Sequence, residues 1–365
     1  MVSNNIYGKT APKWLGPVLL IVALTIFWGM REQTVIRRSR IYHEIAGETM
    51  GTFYRVKLAY REIKDTELER LKAAVVAELA EIEQSMSTYI DESEISIFNR
   101  MSAGELLQIG PRFRAVIKRT LDLCEITGGA LDPTVGPLVD LWGFGSEGRR
   151  IAEPEPEAVG AALEQVGWRR IMLAPQGLSK SADGLRIALG AVAKGYAVDR
   201  VAKVLSEAGI DNFLVEIGGE VYADGVNSSG SAWRVGIDSP ILSVMPGGRL
   251  RGVIDVSDMA VATSGDYRNY FESEDGRIFS HIIDPRSGRP VLMPPASVTV
   301  IAEDCMTADG LATALFVLGV GPGLELVEEL EGVEALFIVS DPIDGLRESA
   351  SSGFRAATGY EILEP

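Results

Sequence analysis

A carboxylate and a hydroxyl stand four residues apart in one predicted helix. They are Asp309 and Thr313, in a run of helix-forming residues over 305–318. Residues four apart share one face of a helix, so the two side chains present two oxygens together. Mg²⁺ prefers such hard oxygen ligands, completed by water and phosphate oxygens. A helix cap by Asp304 or Thr307, with Asp309 near the first turn, would use the same residues, and spacing alone leaves both interpretations open.

A turn of small residues leads into another predicted helix. Gly190, Ala191 and Ala193 would let a ligand approach the backbone closely, and Lys194 adds a positive charge that suits a phosphate. A tight packing turn between a strand and a helix would have the same composition. The segment is therefore a candidate phosphate site with a structural alternative.

A histidine supplies a possible acid–base group. His281 is one of two histidines in the chain and precedes an Asp-Pro-Arg-Ser-Gly turn. An unperturbed histidine is largely neutral at pH 7 and can accept a proton, although many histidines are structural. Asp266, in an earlier polar turn, is a second candidate for the same role.

Composition excludes several classes of site. Two cysteines and two histidines cannot supply the usual four-ligand zinc site or a disulfide scaffold. A net charge of −16 argues against non-specific nucleic-acid binding. The G-x-G-x-x-G pattern at 143–148 is not followed by a helix start, so we interpret it as a loop rather than a dinucleotide site.

The first 40 residues differ from the rest of the chain. Residues 14–30 carry no charge and are flanked by Lys13 and Arg31. A run of this length is at the short end of the range for a membrane helix, with Trp14 and Trp28 near its ends. We expect residues 1–40 to be an uncleaved anchor or a signal segment and residues 41–365 to form one catalytic domain. The flanking positive charges alone would leave that domain in the cytoplasm.

Helices and strands alternate irregularly along the domain. Apolar periodicity predicts helices near 65–87, 110–126, 154–168, 192–208, 305–318 and 322–331. Short apolar runs predict strands near 53–60, 170–174, 184–188, 212–217, 233–238, 251–255, 260–263, 278–283, 297–302 and 335–340. This order favours an α+β fold over a doubly wound one. The segment 145–156 is the best candidate for an internal linker.

Several motifs occur together in a family order. They lie at 50–52, 86–89, 91–95, 98–99, 128–138, 190–199, 217–219, 262–267, 281–285 and 308–314. With these motifs the sequence resembles the ApbE family of FAD:protein FMN transferases. The resemblance implies an α+β, mixed-sheet, T-fold-like domain.

The resemblance also implies a reaction. A family enzyme takes FAD and Mg²⁺, attaches FMN through a phosphoester to a Ser or Thr of an acceptor flavoprotein, and releases AMP. Typical acceptors are FMN-binding subunits of Rnf-type or sodium-translocating quinone reductase complexes. The family works outside the cytoplasm, so the resemblance implies a domain on the periplasmic side of a bacterial inner membrane, against the flanking charges.

The resemblance assigns roles to individual residues. Asp309, Thr313 and the backbone carbonyl of Ala191 would hold the metal. His281 would lie near the pyrophosphate. The implied flavin-binding positions are Met50, Tyr89, Ala130, Leu131, Asp132, Ala188, Lys194 and Ile283.

The sequence departs from the family pattern at two positions. Ala188 stands where the family often has Asp, which removes one expected flavin contact, and Glu220 replaces the Asp of a Gly-Gly-Asp motif. Two other functions stay open: an FAD pyrophosphatase that gives FMN and AMP, and a flavin-binding electron carrier without catalysis. The metal ligands at Asp309 and Thr313 argue against a carrier.

Overall fold

The computed structural model describes residues 42–59, 63–144, 153–240, 250–265, 270–272, 278–291, 294–341 and 345–363. Nine α-helices lie in these ranges. They are α1 (Asp65–Met86), α2 (Glu94–Arg100), α3 (Pro111–Ile126), α4 (Gly136–Leu141), α5 (Pro156–Leu163), α6 (Ala193–Glu207), α7 (Cys305–Leu318), α8 (Val320–Glu328) and α9 (Phe354–Thr358).

One large antiparallel sheet organises the described residues. Its strands run in the order β1 (Tyr42–Thr49), β2 (Thr52–Ala59), β5 (Phe213–Ile217), β6 (Glu220–Asp224), β9 (Met259–Gly265), β14 (Ser297–Ala302), β15 (Glu334–Asp341) and β16 (Gly345–Ala350). A smaller sheet has the order β17 (Glu361–Ile362), β8 (Leu250–Val256) and β7 (Trp233–Asp238). The remaining strands form three two-stranded pairs: β3 (Ile171–Ala174) with β4 (Gly177–Lys180), β10 (Tyr270–Glu272) with β11 (Ile278–Ser280), and β12 (Ile283–Asp284) with β13 (Arg289–Pro290).

Alternation along the central strands produces three layers. In β15, Ala335 and Phe337 pack on the helical side, whereas Leu336 and Ile338 pack toward the small sheet and α9. Successive side chains of a strand point to opposite faces, so both faces of the central sheet are buried. All residues of β14 are buried for this reason. The helical layer contains α6 and α7, which carry the candidate site.

A glycine permits α6 and α7 to cross closely. A Cβ added to Gly195 of α6 would lie 2.3 Å from the carbonyl oxygen of Cys305, at the start of α7. Asp199, one turn further along α6, accepts hydrogen bonds from the backbone amides of Cys305 and Met306 at 2.7 and 2.9 Å. Asp304 caps α7 by accepting from the Thr307 amide at 2.8 Å. The beginning of α7 is therefore fixed against α6.

The structure confirms the α+β class and most predicted helices, and it corrects several details. Every described pairing of the central sheet is antiparallel, so the sheet is not mixed. Tight turns such as Met50-Gly51 join neighbouring strands, and such turns require antiparallel pairing. The helix predicted over 154–168 is shorter, and the chain continues beyond the strand at 335–340 with β16, α9 and β17. Residues 184–188 form no strand.

The predicted N-terminal segment and most of the linker candidate lie outside the described residues, in 1–41 and 145–152. Among the described helices, none combines the length and apolar character needed to cross a bilayer.

The close crossing of α6 and α7 leads us to predict the effect of a substitution on stability. We expect Gly195→Ala to lower the free energy of unfolding by about 3 kcal/mol, because the new methyl group collides with rigid backbone. Thermal and urea unfolding of the purified variant would measure the loss.

Gly160→Ala in α5 is the matched control. Its added Cβ meets no atom within 4 Å, so helix propensity alone should leave stability equal or slightly higher. Equal stability of Gly195→Ala and the wild-type protein would contradict the crossing geometry.

Candidate functional site

The site begins where the first turn of α6 meets α7. Asp309 of α7 is 4% exposed, and its Oδ2 accepts a hydrogen bond from the Gly195 amide at 3.0 Å. Its other oxygen, Oδ1, lies 3.9 Å from Nζ of Lys194. The structure thus brings together two segments that are more than 100 residues apart in sequence. From sequence alone they are separate candidates, one for a phosphate site and the other for a metal site.

Glu220 adds a second carboxylate to this cluster. Oε1 of Glu220 accepts a hydrogen bond from Nζ of Lys194 at 2.5 Å, whereas Oε2 is buried without a hydrogen-bond partner in the described residues. Two carboxylates, from Asp309 and Glu220, therefore face one ammonium group. When all three groups are ionised, this buried cluster carries one excess negative charge.

Burial and charge shift the pKa values of the cluster in defined directions. Burial raises the pKa of Asp309 to about 7, with Lys194 opposing the shift and Glu220 adding to it. Burial also raises the pKa of Glu220 against the attraction of Lys194. For Lys194, burial acts against the charged form, but Asp309 and Glu220 outweigh it and raise its pKa. Lys194 is therefore a cation at neutral pH.

Thr313 lies one turn beyond Asp309 on the same face of α7. Its side chain is half-buried, and its Oγ1 is 3.3 Å from Oγ of Ser264 in β9. Within the described ranges, no three His, Cys, Asp or Glu side chains gather as a metal cluster. A metal at this place would take one carboxylate together with hydroxyl and backbone oxygens.

The small-residue turn packs directly on α7. The amides of Val192 and Ala193 both donate to the Leu189 carbonyl, at 3.0 and 2.8 Å, which forms the turn. A Cβ added to Gly310 would lie 3.2 Å from Cγ1 of Val192. Ala191 is half-buried within this turn. The predicted backbone ligand therefore belongs to the segment that packs beside Asp309.

The turn between β1 and β2 lies near Lys194. Met50 has a φ of +51°, and its amide and the Thr49 hydroxyl both donate to Oε1 of Glu83, the latter at 2.9 Å. Residues 48–53 and Glu83 line a cavity of about 550 Å³. A Cβ on Gly218 would touch both Thr52 and Lys194, so Gly218 connects the hairpin to the cluster.

The other predicted flavin positions differ in exposure. Tyr89 is 92% exposed beyond the end of α1, whereas Ala130, Leu131 and Ile283 are buried. Ala188 is exposed, and its amide donates to the Pro133 carbonyl at 2.7 Å.

The carboxylate of Asp132 accepts hydrogen bonds from its own loop and from a neighbouring segment. Its Oδ1 accepts from the amide and hydroxyl of Thr134 at 2.8 and 2.6 Å, and its Oδ2 accepts from the Trp168 amide at 3.0 Å. Burial raises the pKa of Asp132, while these hydrogen bonds oppose the shift. The carboxylate therefore joins the 130–134 loop to the backbone of Trp168.

Of the two candidate bases, His281 lies within the described residues and Asp266 does not. The ring of His281 is half-buried and meets Phe144 edge-on, with 6.4 Å between centroids. Asp266 lies outside the described residues. The contacts above join Asp309, Lys194 and Thr313 to the α6–α7 crossing, and His281 contacts Phe144.

Sequence reasoning missed some members of the site. Glu220 was visible only as a departure in the Gly-Gly-Glu motif, and nothing in the sequence showed that it pairs with Lys194. Glu83 lies on a predicted amphipathic helix and gave no signal of its contact with the Met50 turn. Ser264 belonged to a recognised polar motif, but its contact with Thr313 depends on the packing of β9 against α7.

The chain is similar to characterised proteins over most of its length. The sequence model of the ApbE family matches residues 50–337. An FAD:protein FMN transferase from Vibrio cholerae is 42% identical and aligns over 85% of this chain and 91% of its own length. An FAD:protein FMN transferase from Haemophilus influenzae is 38% identical and aligns over 94% of this chain and 97% of its own length.

Solved structures give the same result. The flavin transferase ApbE from Vibrio cholerae superposes with a TM-score of 0.77 at 39% identity, covering 87% of this chain and 99% of that one. The apo form of the flavinyl transferase ApbE from Pseudomonas stutzeri has a TM-score of 0.78 at 35% identity, covering 88% and 98%. Since family model, sequence relatives and structures agree over most of the chain, this protein belongs to the ApbE family.

Proposed function

We propose that this protein is a Mg²⁺-dependent FAD:protein FMN transferase. It would transfer FMN from FAD to a Ser or Thr hydroxyl of an acceptor flavoprotein through a phosphoester bond and release AMP. The observation that carries the proposal is the meeting of Asp309, Thr313, Lys194 and the Ala191 turn at one helix crossing. Relatives named FAD:protein FMN transferase support the same reaction.

The residues of this crossing fit a magnesium ion. The carboxylate of Asp309, the hydroxyl of Thr313 and the carbonyl of Ala191 are hard oxygen donors, which Mg²⁺ prefers. When ionised, Asp309 and Glu220 carry one negative charge more than Lys194 balances, which suits a nearby cation. When bound, Mg²⁺ would offset the charge of the FAD pyrophosphate and stabilise the AMP leaving group.

Lys194 supplies a local positive charge in an acidic protein. A net charge of −16 repels anionic FAD at a distance, so attraction must come from groups inside the site. Asp309 and Glu220 keep the Lys194 ammonium protonated and in position beside the turn. Lys194 would therefore hold a phosphate of FAD, while positions such as Met50 contact the flavin.

The acceptor hydroxyl must lose a proton as it attacks phosphorus. His281 is our candidate for the base, because the free nitrogen of an imidazole can accept a proton from a hydroxyl. Asp266 is the reserve candidate. We propose as acceptors the FMN-binding subunits of Rnf-type or sodium-translocating quinone reductase complexes, which present a Ser or Thr for modification.

Removal of the Asp309 charge tests the metal assignment. We expect Asp309→Asn to lower FMN transfer by about 100-fold or more, because an amide binds Mg²⁺ weakly while its oxygen still accepts from Gly195. In-gel flavin fluorescence of an acceptor domain, incubated with FAD and Mg²⁺, measures transfer. A Mg²⁺ titration of the melting temperature should show a smaller shift than in the wild-type protein.

Asp122→Asn is the matched control, since Asp122 is a surface residue paired with Lys118. It should retain transfer and the Mg²⁺-dependent shift. Wild-type transfer by Asp309→Asn in the presence of a chelator would refute the assignment. AMP release without acceptor, equal to that with acceptor, would instead favour an FAD pyrophosphatase.

The base assignment has a separate test. We expect His281→Ala to lower kcat by about 100-fold or more at pH 7 with little change in FAD affinity, because proton transfer contributes to the transition state. Single-turnover transfer and fluorescence titration of FAD measure the two quantities. A wild-type rate in this variant would move the role to Asp266 without affecting the metal assignment.

We also propose that residues 1–40 anchor the enzyme to the inner membrane of a bacterium, with the domain on the periplasmic side. The uncharged run 14–30 supports an anchor, and long domains are exported despite flanking positive charge. A periplasm-active reporter fused to the C-terminus should be active in cells. Activity of a cytoplasm-specific reporter at the same position would reverse the orientation.

A further inference from the structure

The segment that leads into the Ala191 turn has the burial pattern of a strand but has no neighbouring strand in the described structure. Leu185, Ile187 and Leu189 are buried, and the residues between them are exposed, as in a strand at a protein surface. Residues 185–189 nevertheless belong to no sheet of the described structure. Their buried backbone groups need other hydrogen-bond partners.

Asn99 in α2 supplies two of these partners. Its Nδ2 donates to the Ile187 carbonyl at 3.0 Å, and its Oδ1 accepts from the Ile187 amide at 2.8 Å. A side-chain amide offers the same donor and acceptor as a peptide group. Asn99 therefore takes the place of an adjacent strand for one residue of the segment.

Lys180 in β4 makes a second side-chain contact with the same segment. It is fully buried, and its Nζ donates to the carbonyls of Leu185 and Asn99 at 2.8 and 3.1 Å. The ammonium also lies 5.3 Å from the ring centre of Phe98. A buried ammonium group is costly unless it is hydrogen-bonded, and here its bonds join α2 to the segment.

The segment in turn determines where the site residues lie. Ala188 donates its amide to Pro133, and the Leu189 carbonyl receives the amides of Val192 and Ala193. Lys194 follows directly. A displacement at Ile187 would therefore move the Ala188 surface, the Ala191 carbonyl and the Lys194 side chain together.

We infer that Asn99 and Lys180 form a positioning clamp, which holds residues 185–189 so that the following turn can bind FAD and the metal. Neither residue is assigned a contact with substrate. The inference rests on the proposed function, since it explains how that site is kept in register.

The test compares FAD affinity with stability. Asn99→Leu preserves side-chain size but removes both hydrogen bonds to Ile187. We expect its dissociation constant for FAD to rise about tenfold, measured by fluorescence quenching with Mg²⁺ at a temperature where all variants are folded. The Mg²⁺ concentration that gives the half-maximal shift in melting temperature should also rise.

Asn227→Leu is the matched control. Asn227 makes a similar set of bonds within its own loop, donating to the Ala232 carbonyl at 2.7 Å and accepting from the Ser229 amide at 2.8 Å. It should lower stability to a similar degree but keep wild-type affinity for FAD. An equal loss of affinity in the control, or none in Asn99→Leu, would overturn the inference.

Lys180→Met is the second variant, and it tests the clamp if Asn99→Leu does not fold. It keeps the buried stem and removes the bond to Leu185, so FAD affinity should fall in the same direction. Unchanged affinity in Lys180→Met would then overturn the clamp. Because binding is measured without acceptor, failure of the wild-type protein to transfer FMN would count against the proposed function alone.

Discussion

The candidate site depends on one buried electrostatic constraint: Asp309 and Glu220 share the single ammonium of Lys194. Burying carboxylates is costly unless charge or hydrogen bonds compensate them. Asp309 accepts a hydrogen bond from the Gly195 amide and lies near Lys194, and Glu220 accepts one from Lys194. Oε2 of Glu220 has no hydrogen-bond partner in the described residues. When both carboxylates are ionised, the cluster therefore carries one negative charge more than Lys194 balances.

The fold brings these groups together from distant parts of the chain. Lys194 lies in the first turn of α6, Asp309 lies within α7 and Glu220 is the first residue of β6 in the central sheet. The two helices can approach because Gly195 has no side chain, and the sheet beneath them is buried on both faces. The surrounding turns are held by side chains: Glu83 holds the Met50 turn, and Asn99 holds the approach to Ala191. Precision at the site thus comes from helices packed on a rigid sheet.

Sequence patterns predicted the helices well and the contacts poorly. The 3.6-residue periodicity located α1 and α3 nearly to their ends, because each buries one apolar face, whereas α7 is buried on nearly every side. A short apolar run also predicted a strand at 184–188, but the backbone of that segment is hydrogen-bonded by the side chains of Asn99 and Lys180. No sequence pattern reveals such a side-chain partner. The pairing of Glu220 with Lys194 escaped prediction for the same reason: it depends on how β6 meets α6. Family motifs supplied Asp309, Thr313 and Ala191 as a set, which spacing alone had left open.

We propose that the α6–α7 crossing binds FAD with Mg²⁺ and transfers its FMN half to a protein hydroxyl. Intact-mass spectrometry of an acceptor domain, combined with AMP quantification in the same reaction, tests it most directly. We expect the acceptor to gain the mass of one FMN phosphoester, in an amount equal to the AMP released, and neither product to form when Mg²⁺ is chelated. AMP without modified acceptor, or modification that persists in the chelator, would contradict it.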